Sequence, residues 1–362
     1  MKISKFNLFH LSTILLLFLN LLVCGLLNKL LKKSNINEVM LYGHDLNGNL
    51  LSIYSNSNYK YITINYFKYR KMKNDKRVNL ALSPRVMLDL LNSKVIIVSH
   101  GMFFLNIFRK FSAAKIVNVW HGLPNQLIDE EIFNQFDENW FYSDFQKALF
   151  KNPQKLDLKK VRITGYGRLD ALKILEEESP PRNILIANTW TRDLRAEKKE
   201  SFSISNIDFI RELHKISIDL DCHFFIKPHI NFKVDKNIVK FINYQKKIEI
   251  IRDEISTEEL INLCDVLFTD WSSILFDFLY TKKPAYIFKK NIPFSGEPNP
   301  IFKDIEKLRI SEYSEIEEIL SPPYNNDFKI KHSELDDNIF RKDLINKGTE
   351  NYLSNIRRLI KS

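Results

Sequence analysis

Two α/β halves of the nucleotide-binding type, facing each other across a cleft and preceded by an apolar helix, form the architecture that this 362-residue sequence predicts. Three observations lead there. Short apolar runs of strand length end repeatedly in polar motifs, as in open parallel sheets whose ligands gather at the carboxyl ends of the strands. Midway, "EEESPPRN" interrupts that pattern with charge and tandem prolines, after which the alternation restarts. At the front, Phe6 to Asn28 contains no Asp, Glu, Lys or Arg. The length and a hydrophobic content of 44% suffice for roughly two domains with sizeable cores.

The uncharged front stretch, "FNLFHLSTILLLFLNLLVCGLLN", lies between Lys2 and Lys5 on one side and Lys29, Lys32 and Lys33 on the other. It is long enough to cross a bilayer. No small-x-small cleavage site follows it, and the trailing lysines favour retention at a membrane over removal as a signal peptide. His10 and Asn20 within the run leave two other placements open: a helix lying in the membrane interface, and a helix buried in the globular body. Residues 1–33 are assigned to a membrane-anchoring or interfacial helix, set off by lysines and expected to be dispensable for folding of the rest.

Residues 34–178 form the first domain. "EVMLYG" reads as its first strand and "NGNLLSIYSNSN" as a polar connecting loop. "KVIIVSHG" and "KIVNVWHG" each place a buried strand directly before His-Gly, so His100 and His121 stand at strand ends. "VRITGYGRLD" is a strand running into a glycine-rich turn. Residues 179–362 form the second domain with amphipathic helices at its end, in "DNIFRKDLINKGTENYLSNIRRLIKS". There "NILIANTW" is a strand entering a polar loop, "IDFIRELHKI" a helix, and "CHFFIKPH" a strand ending in Lys227, Pro228 and His229. Ser256 with Glu259 matches a capping box. "DVLFTDWSSILFDFLY" followed by "PAYIF" is a strand, turn, helix and strand, a βαβ unit. Asp270, Ser272 and Ser273 fall where the helix starts, and there they fit a helix cap and an anion cradle alike.

Composition narrows the function classes. Cys24, Cys222 and Cys264 are far apart without paired spacing, which fits a reducing compartment. A net charge of +10 spread along the chain suits anionic lipid, phosphorylated substrates or nucleic acid. Nucleic acid drops out, because RNA-binding signatures, zinc-finger spacing and basic helices followed by heptads are lacking. No two-His-plus-acid spacing supports a protein-held metal, although Mg²⁺ could arrive with a nucleotide. A solenoid is disfavoured, since no repeat of about 20 to 50 residues is visible.

Taken in order, "WHGLPNQ", "GYGRLD", "ANTWTR", "IKPH" and "FTDWSSILFDF" resemble the motifs of the CDP-glycerol glycerophosphotransferases of teichoic-acid and capsule synthesis. The resemblance covers roughly Glu38 to Phe288. It implies a GT-B fold, association with the cytoplasmic face of the cell membrane, and transfer of glycerol phosphate or a related polyol phosphate from its CDP derivative to a lipid-linked or polymeric envelope acceptor. By position, His121 and Gly122 correspond to the family's His-Gly, and His121 becomes a candidate general base. Arg168 and Asp170 match the arginine and acid of the glycine-rich turn, with Gly167 in place of a proline. Thr189, Trp190 and Arg192 approximate the Pro-Thr-Trp-Arg segment, the arginine displaced by one. His229 matches the histidine of Lys-x-His-Pro, and Thr269, Asp270, Ser272, Ser273 and Asp277 match Thr-Asp-Tyr-Ser-Ser and the acid after it. Gln126 stands where the family usually has a lysine.

The implied chemistry needs these groups. An acceptor oxygen attacks phosphorus in line with departing CMP, so positioning and charge neutralisation dominate. Histidine suits removal of the acceptor proton. His121 takes that role, with His229 as the second catalytic candidate. Gly122, Arg168, Arg192, Lys227, Thr269, Asp270, Ser272, Ser273 and Asp277 are the expected substrate-binding set. His100, by contrast, stands as a structural or lining residue. Two other readings stay open: a GT-B glycosyltransferase that uses a nucleotide sugar, and a non-catalytic membrane adaptor built on a degenerate fold of this kind.

Overall fold

The computed structural model describes residues 5–31, 36–124, 126–175, 180–189, 201–229, 234–251, 255–289, 309–322 and 342–361. Thirteen strands among them form two sheets. The first holds β1 (Ile36–Gly43), β2 (Lys60–Thr63), β3 (Val78–Leu80), β4 (Ser93–Val98), β5 (Lys115–Asn118), β6 (Glu138–Phe141) and β7 (Val161–Ile163) in the order β3-β2-β1-β4-β5-β6-β7. The second holds β8 (Asn183–Ala187), β9 (His223–Ile226), β10 (Ile248–Ile250), β11 (Val266–Thr269), β12 (Ala285–Phe288) and β13 (Arg309–Ile310) in the order β10-β9-β8-β11-β12-β13. Every pairing is parallel. Buried on both faces, such strands read as continuous apolar runs, as "KVIIV" and "NILIA" do.

Each sheet reverses its strand order once, between β1 and β4 and between β8 and β11. At such points the flanking helices leave in opposite directions and open a crevice beyond the carboxyl ends of the strands. Tyr42 lies opposite Val98 and Thr269 opposite Ala187. The polar segments that follow these four strands therefore meet in pairs. One apolar cluster joins the halves, with Leu123, Tyr142, Tyr166 and Leu169 of the first packed with Trp271, Ile274, Leu275 and Phe278 of the second.

Three expectations are corrected. The helix Lys5–Leu31 is part of the first half rather than a detachable segment: Leu17, Leu21 and Cys24 are at most 3% exposed and share a core with Met40, Met87, Leu90 and Ile96. It docks on the helix Pro84–Leu91. Gly25 makes room for the Phe111 ring, which a Cβ there would meet at 2.5 Å. Asn20 Nδ2 donates to the Ala81 carbonyl at 3.0 Å and Asn28 Nδ2 to that of Phe111 at 3.4 Å, so these two asparagines face protein.

The stretch 47–58, expected as a loop, contains the helix Gly48–Ser55, whose Leu50, Ile53 and Tyr54 recur at helical spacing and are buried. The third correction concerns the helix Gly348–Lys361, expected with the second half. It packs on the first sheet, placing Tyr352, Ile356 and Leu359 among Leu41, Ile53, Val95 and Trp140. Tyr352 stacks on Trp140 at 5.4 Å, and Arg358 pairs with Glu138 at 2.6 Å. Asp170 accepts the Gly348 N–H at 3.1 Å and the Thr349 N–H at 2.7 Å, which satisfies two donors at the helix start. The amphipathic face closed over the sheet side that had apolar surface to cover.

Candidate active site between the two sheets

On the first-half side the site is built on the turn after β5. Asn118 Oδ1 accepts the Trp120 N–H at 3.0 Å, and Trp120 itself takes a left-handed φ of 48°. That is unusual for a bulky residue and needs its surroundings to hold it. The holder is Asn49, only 1% exposed, whose Nδ2 donates to the carbonyls of Val119 and Trp120 at 3.0 and 3.1 Å. Its Oδ1 accepts the Arg168 N–H at 3.2 Å. One side chain thus pins both the His-Gly turn and the glycine-rich turn.

So held, the turn presents His121. Its ring stacks on His100, with centroids 4.2 Å apart, and leans on Trp120 at 4.5 Å. The Ser99 backbone is the one neighbour that favours the protonated form of the ring, and the weakest of the influences on it. His121 is exposed at the cleft, and neighbouring protein displaces part of the water around its ring. Desolvation first, then the positive neighbours His100 and Arg168, push its pKa well below the ordinary histidine value. His100 is pushed down too, chiefly by burial, with Asp45 pulling the other way. His121 is therefore a neutral imidazole at neutral pH, a state that can accept a proton. His100, read from sequence as structural or lining, belongs to this cluster through its ring contact.

Arg168 links the halves. Its guanidinium lies against Gly122, where a Cβ would come within 3.1 Å of Nη2, and it pairs with Asp277 on the helix Ile274–Tyr280 of the second half. Both side chains are at most 14% exposed. Burial pushes the Asp277 carboxyl up to about 6, against the pull of Arg168, while Arg168 stays charged. Arg168 and Asp277, both expected to bind substrate, are thus each other's partners here.

The second-half side lies at the switch point. Asp270, fully buried, accepts the Thr189 N–H at 2.7 Å and the Thr189 hydroxyl at 2.9 Å, tying the segment after β8 to the one after β11. Thr269 is corrected from a substrate ligand to a strand residue, because it is wholly buried and its hydroxyl donates to the Ala187 carbonyl. Ser272 and Ser273 are half-buried, Ser273 makes no side-chain cap bond, and neither hydroxyl has a partner among the described residues. The cap reading of these serines has no support in that geometry. Arg309, which the sequence reading did not single out, lies 4.1 Å over the ring of Trp271, the residue before Ser272.

Lys227 and His229 follow β9, with Lys227 half-buried, His229 exposed and the His229 pKa pushed down by desolvation. Trp190 and Arg192 lie outside the described residues. Among the described residues no group of three or more His, Cys, Asp or Glu side chains is placed to hold a metal.

Comparison with known proteins follows the same outline. The model of the family described as CDP-Glycerol:Poly(glycerophosphate) glycerophosphotransferase matches residues 34–296. A teichoic acid glycerol-phosphate transferase of Staphylococcus aureus is 23% identical over 215 residues, 50% of this chain and 54% of that protein. A teichoic acid poly(glycerol phosphate) polymerase of Bacillus spizizenii is 23% identical over 238 residues, 53% of this chain and 59% of that one. The chain thus spans little more than half the length of these curated relatives. A structure of the wall teichoic acid polymerase TagF superimposes with a TM-score of 0.69 at 15% identity, covering 95% of this chain and 98% of the other. A Staphylococcus aureus MnaA structure with UDP gives 0.58 at 11% identity, covering 90% and 97%. The fold is GT-B-like, as these neighbours show.

Proposed function

Because the chain belongs to the CDP-glycerol:poly(glycerophosphate) glycerophosphotransferase family, we propose that it transfers glycerol phosphate, or a related polyol phosphate, from the CDP derivative to a hydroxyl of a teichoic-acid or capsular acceptor. The acceptor oxygen forms a bond to the phosphorus that carries glycerol. The bond from that phosphorus to CMP breaks, and the acceptor proton passes to a ring nitrogen of His121. The observation that carries this reading is the neutral His121 ring, held between His100 and Trp120 and joined through Gly122, Arg168 and Asp277 to the serine turn after β11.

The other roles follow from placement. Ser272 and Ser273 offer to the pyrophosphate hydroxyls that have no partner among the described residues, and Arg309 and Lys227 offer positive charge near it. His229 donates an N–H to the departing phosphate, whose charge would raise its depressed pKa. Mg²⁺, where needed, would enter with the nucleotide. The acceptor is a lipid-linked or polymeric envelope glycan, met at the cytoplasmic face of the cell membrane, to which the apolar N-terminal helix holds the protein.

A donor panel tests this. The detergent-solubilised protein is given CDP-glycerol, CDP-ribitol or UDP-sugars with membrane acceptors, and release of CMP or UDP is followed. CMP from a CDP-polyol is the expected product. UDP release would instead identify a glycosyltransferase, and no turnover of any donor by intact protein would favour an adaptor.

A further inference from the structure

From Lys60 to Arg77 the chain carries seven lysines and arginines against one acid, Asp75. Asp75 pairs with Arg77 at 3.2 Å, and Lys60 with Glu38 at 3.1 Å. Lys68, Arg70, Lys71, Lys73 and Lys76 remain, and none of them has an ion-pair partner among the described residues. They lie on the helix Tyr66–Met72 and just beyond it, and all but Lys68 are exposed. Like charges at such spacing repel one another, and an anionic partner relieves that repulsion.

The basic helix starts at the edge of the catalytic cleft. Asn65, its N-cap, comes within 3.5 Å of the His44 ring, and the Thr63 hydroxyl donates to the His44 carbonyl at 3.0 Å. His44 follows β1 and bonds Asp45 at 2.6 Å, which raises its pKa above the ordinary histidine value. The ring thus holds a proton more readily than a free histidine. Asp45 feels the charges of both Lys68 and His100, and His100 stacks on His121. A row of side chains therefore leads from the candidate base through His100, the His44–Asp45 pair and Asn65 to the basic helix.

We infer that this row is a track for the acceptor: a polyol-phosphate chain lies along it with its terminal hydroxyl at His121, and the phosphates of the preceding units meet His44 and the cations of the basic helix. Asp45, already engaged by His44, accepts from the hydroxyls of the chain. Successive phosphates of one chain bind cooperatively to successive cations, because each contact raises the local concentration of the next. An anionic bilayer is a second possible partner for such charge, and the fold argues against it. The basic helix packs Tyr69 and Met72 with Leu41 and Val95, whereas the apolar helix Lys5–Leu31 packs with Met40 and Ile96. Alternate residues of a strand point to opposite faces, so a flat bilayer engaged by the apolar helix lies across the sheet from the basic one. The choice of polymer rests on the reaction proposed above. The test uses neither donor nor turnover, so the track can fail while the catalytic reading stands, and it stays measurable if the donor panel fails.

Binding of lipid-free poly(glycerol phosphate) and of monomeric glycerol phosphate to the detergent-solubilised full chain is measured by calorimetry. The polymer should bind about tenfold or more tightly than the monomer, with affinity falling as salt rises. The triple variant Arg70→Gln, Lys71→Gln, Lys73→Gln should lose about tenfold in polymer affinity at an unchanged melting temperature, since these side chains are exposed. A matched variant of the second half, Lys236→Gln, Lys240→Gln, Lys246→Gln, also removes three exposed lysines and should bind as the wild type does. Equal losses in the two variants would reduce the effect to net charge and overturn the track, as would a polymer bound no better than the monomer. A first variant that keeps polymer affinity but no longer floats with phosphatidylglycerol vesicles would make the helix a lipid contact and overturn it as well. His44→Gln reads the end nearest the base: weaker polymer binding is expected, and unchanged affinity would detach the helix from the cleft and overturn the path.

Discussion

Replacing Asn49 by alanine removes three hydrogen bonds at once, two to the carbonyls around Trp120 and one from the Arg168 N–H. Leaving those buried groups unpaired costs about 1–3 kcal/mol for each group that water does not reach. Because Asn49 acts through the His-Gly turn, Asn49→Ala should lower kcat more than it raises the KM for donor, with Asn49→Gln no better, since its extra methylene shifts the amide. Steady-state kinetics on samples checked by melting decide this, and an unchanged kcat in folded protein would rule out the positioning role. His121→Ala should reduce turnover by about 10² to 10⁴ while donor affinity, read by calorimetry, stays near the wild-type value. The pH dependence has a definite sign. Folded His121 and His100 bind protons less readily than the unfolded chain, so stability is full above the unfolded pKa near 6.5 and is lost as pH falls below it. The double variant His100→Gln, His121→Gln should flatten the acid side of a melting-temperature profile. Little of this was legible in sequence. His121 stood out by its place in an ordered set of motifs, whereas Asn49 reaches carbonyls 70 and 71 residues away, and no local pattern encodes that.

At the scale of elements, the serine turn after β11 yields the sharpest test. Ser273 makes no cap bond, so the double variant Ser272→Ala, Ser273→Ala should melt close to wild type yet bind CDP-glycerol about tenfold or more weakly for each hydroxyl that meets the phosphates. Lower stability with unchanged affinity would return the serines to a structural part. Lys283 shows how a charge can serve an element instead of a ligand. Only 7% exposed, its ammonium donates to the carbonyls of Ile261, Asn262 and Cys264 at the end of the helix Thr257–Leu263, while burial pulls its pKa down. The strands β4, β5, β8, β9, β11 and β12 were readable because Val, Ile and Phe dominate them. β2, β3, β6, β10 and β13 were not. They are two to four residues long, and β6 carries Glu138 and Asn139 among its aromatics, so neighbouring strands rather than local composition decide them. The capping box at Ser256 and Glu259 was readable because both of its bonds are local.

For the molecule as a whole, residues 1–33 are not removable at no cost. Deleting them uncovers the surface that Leu17, Leu21 and Cys24 bury, and the truncated chain should melt lower or aggregate even in detergent. Light scattering during a thermal ramp measures this. The apolar run was visible in sequence, but its second, protein-facing side was not, because both sides are equally apolar. The helix Gly348–Lys361 carries a similar lesson with a different outcome. Ser52 and Thr349 share a hydrogen bond of 2.6 Å although 297 residues separate them. Translation runs in one direction, so a ribosome must produce the whole second sheet before the first can be closed. During that interval Leu41, Ile53, Val95 and Trp140 lack the cover of Tyr352, Ile356 and Leu359. Folding of the early half is thus timed by the late one, and the nascent chain carries an open sheet face for most of its synthesis, a natural client surface for chaperones.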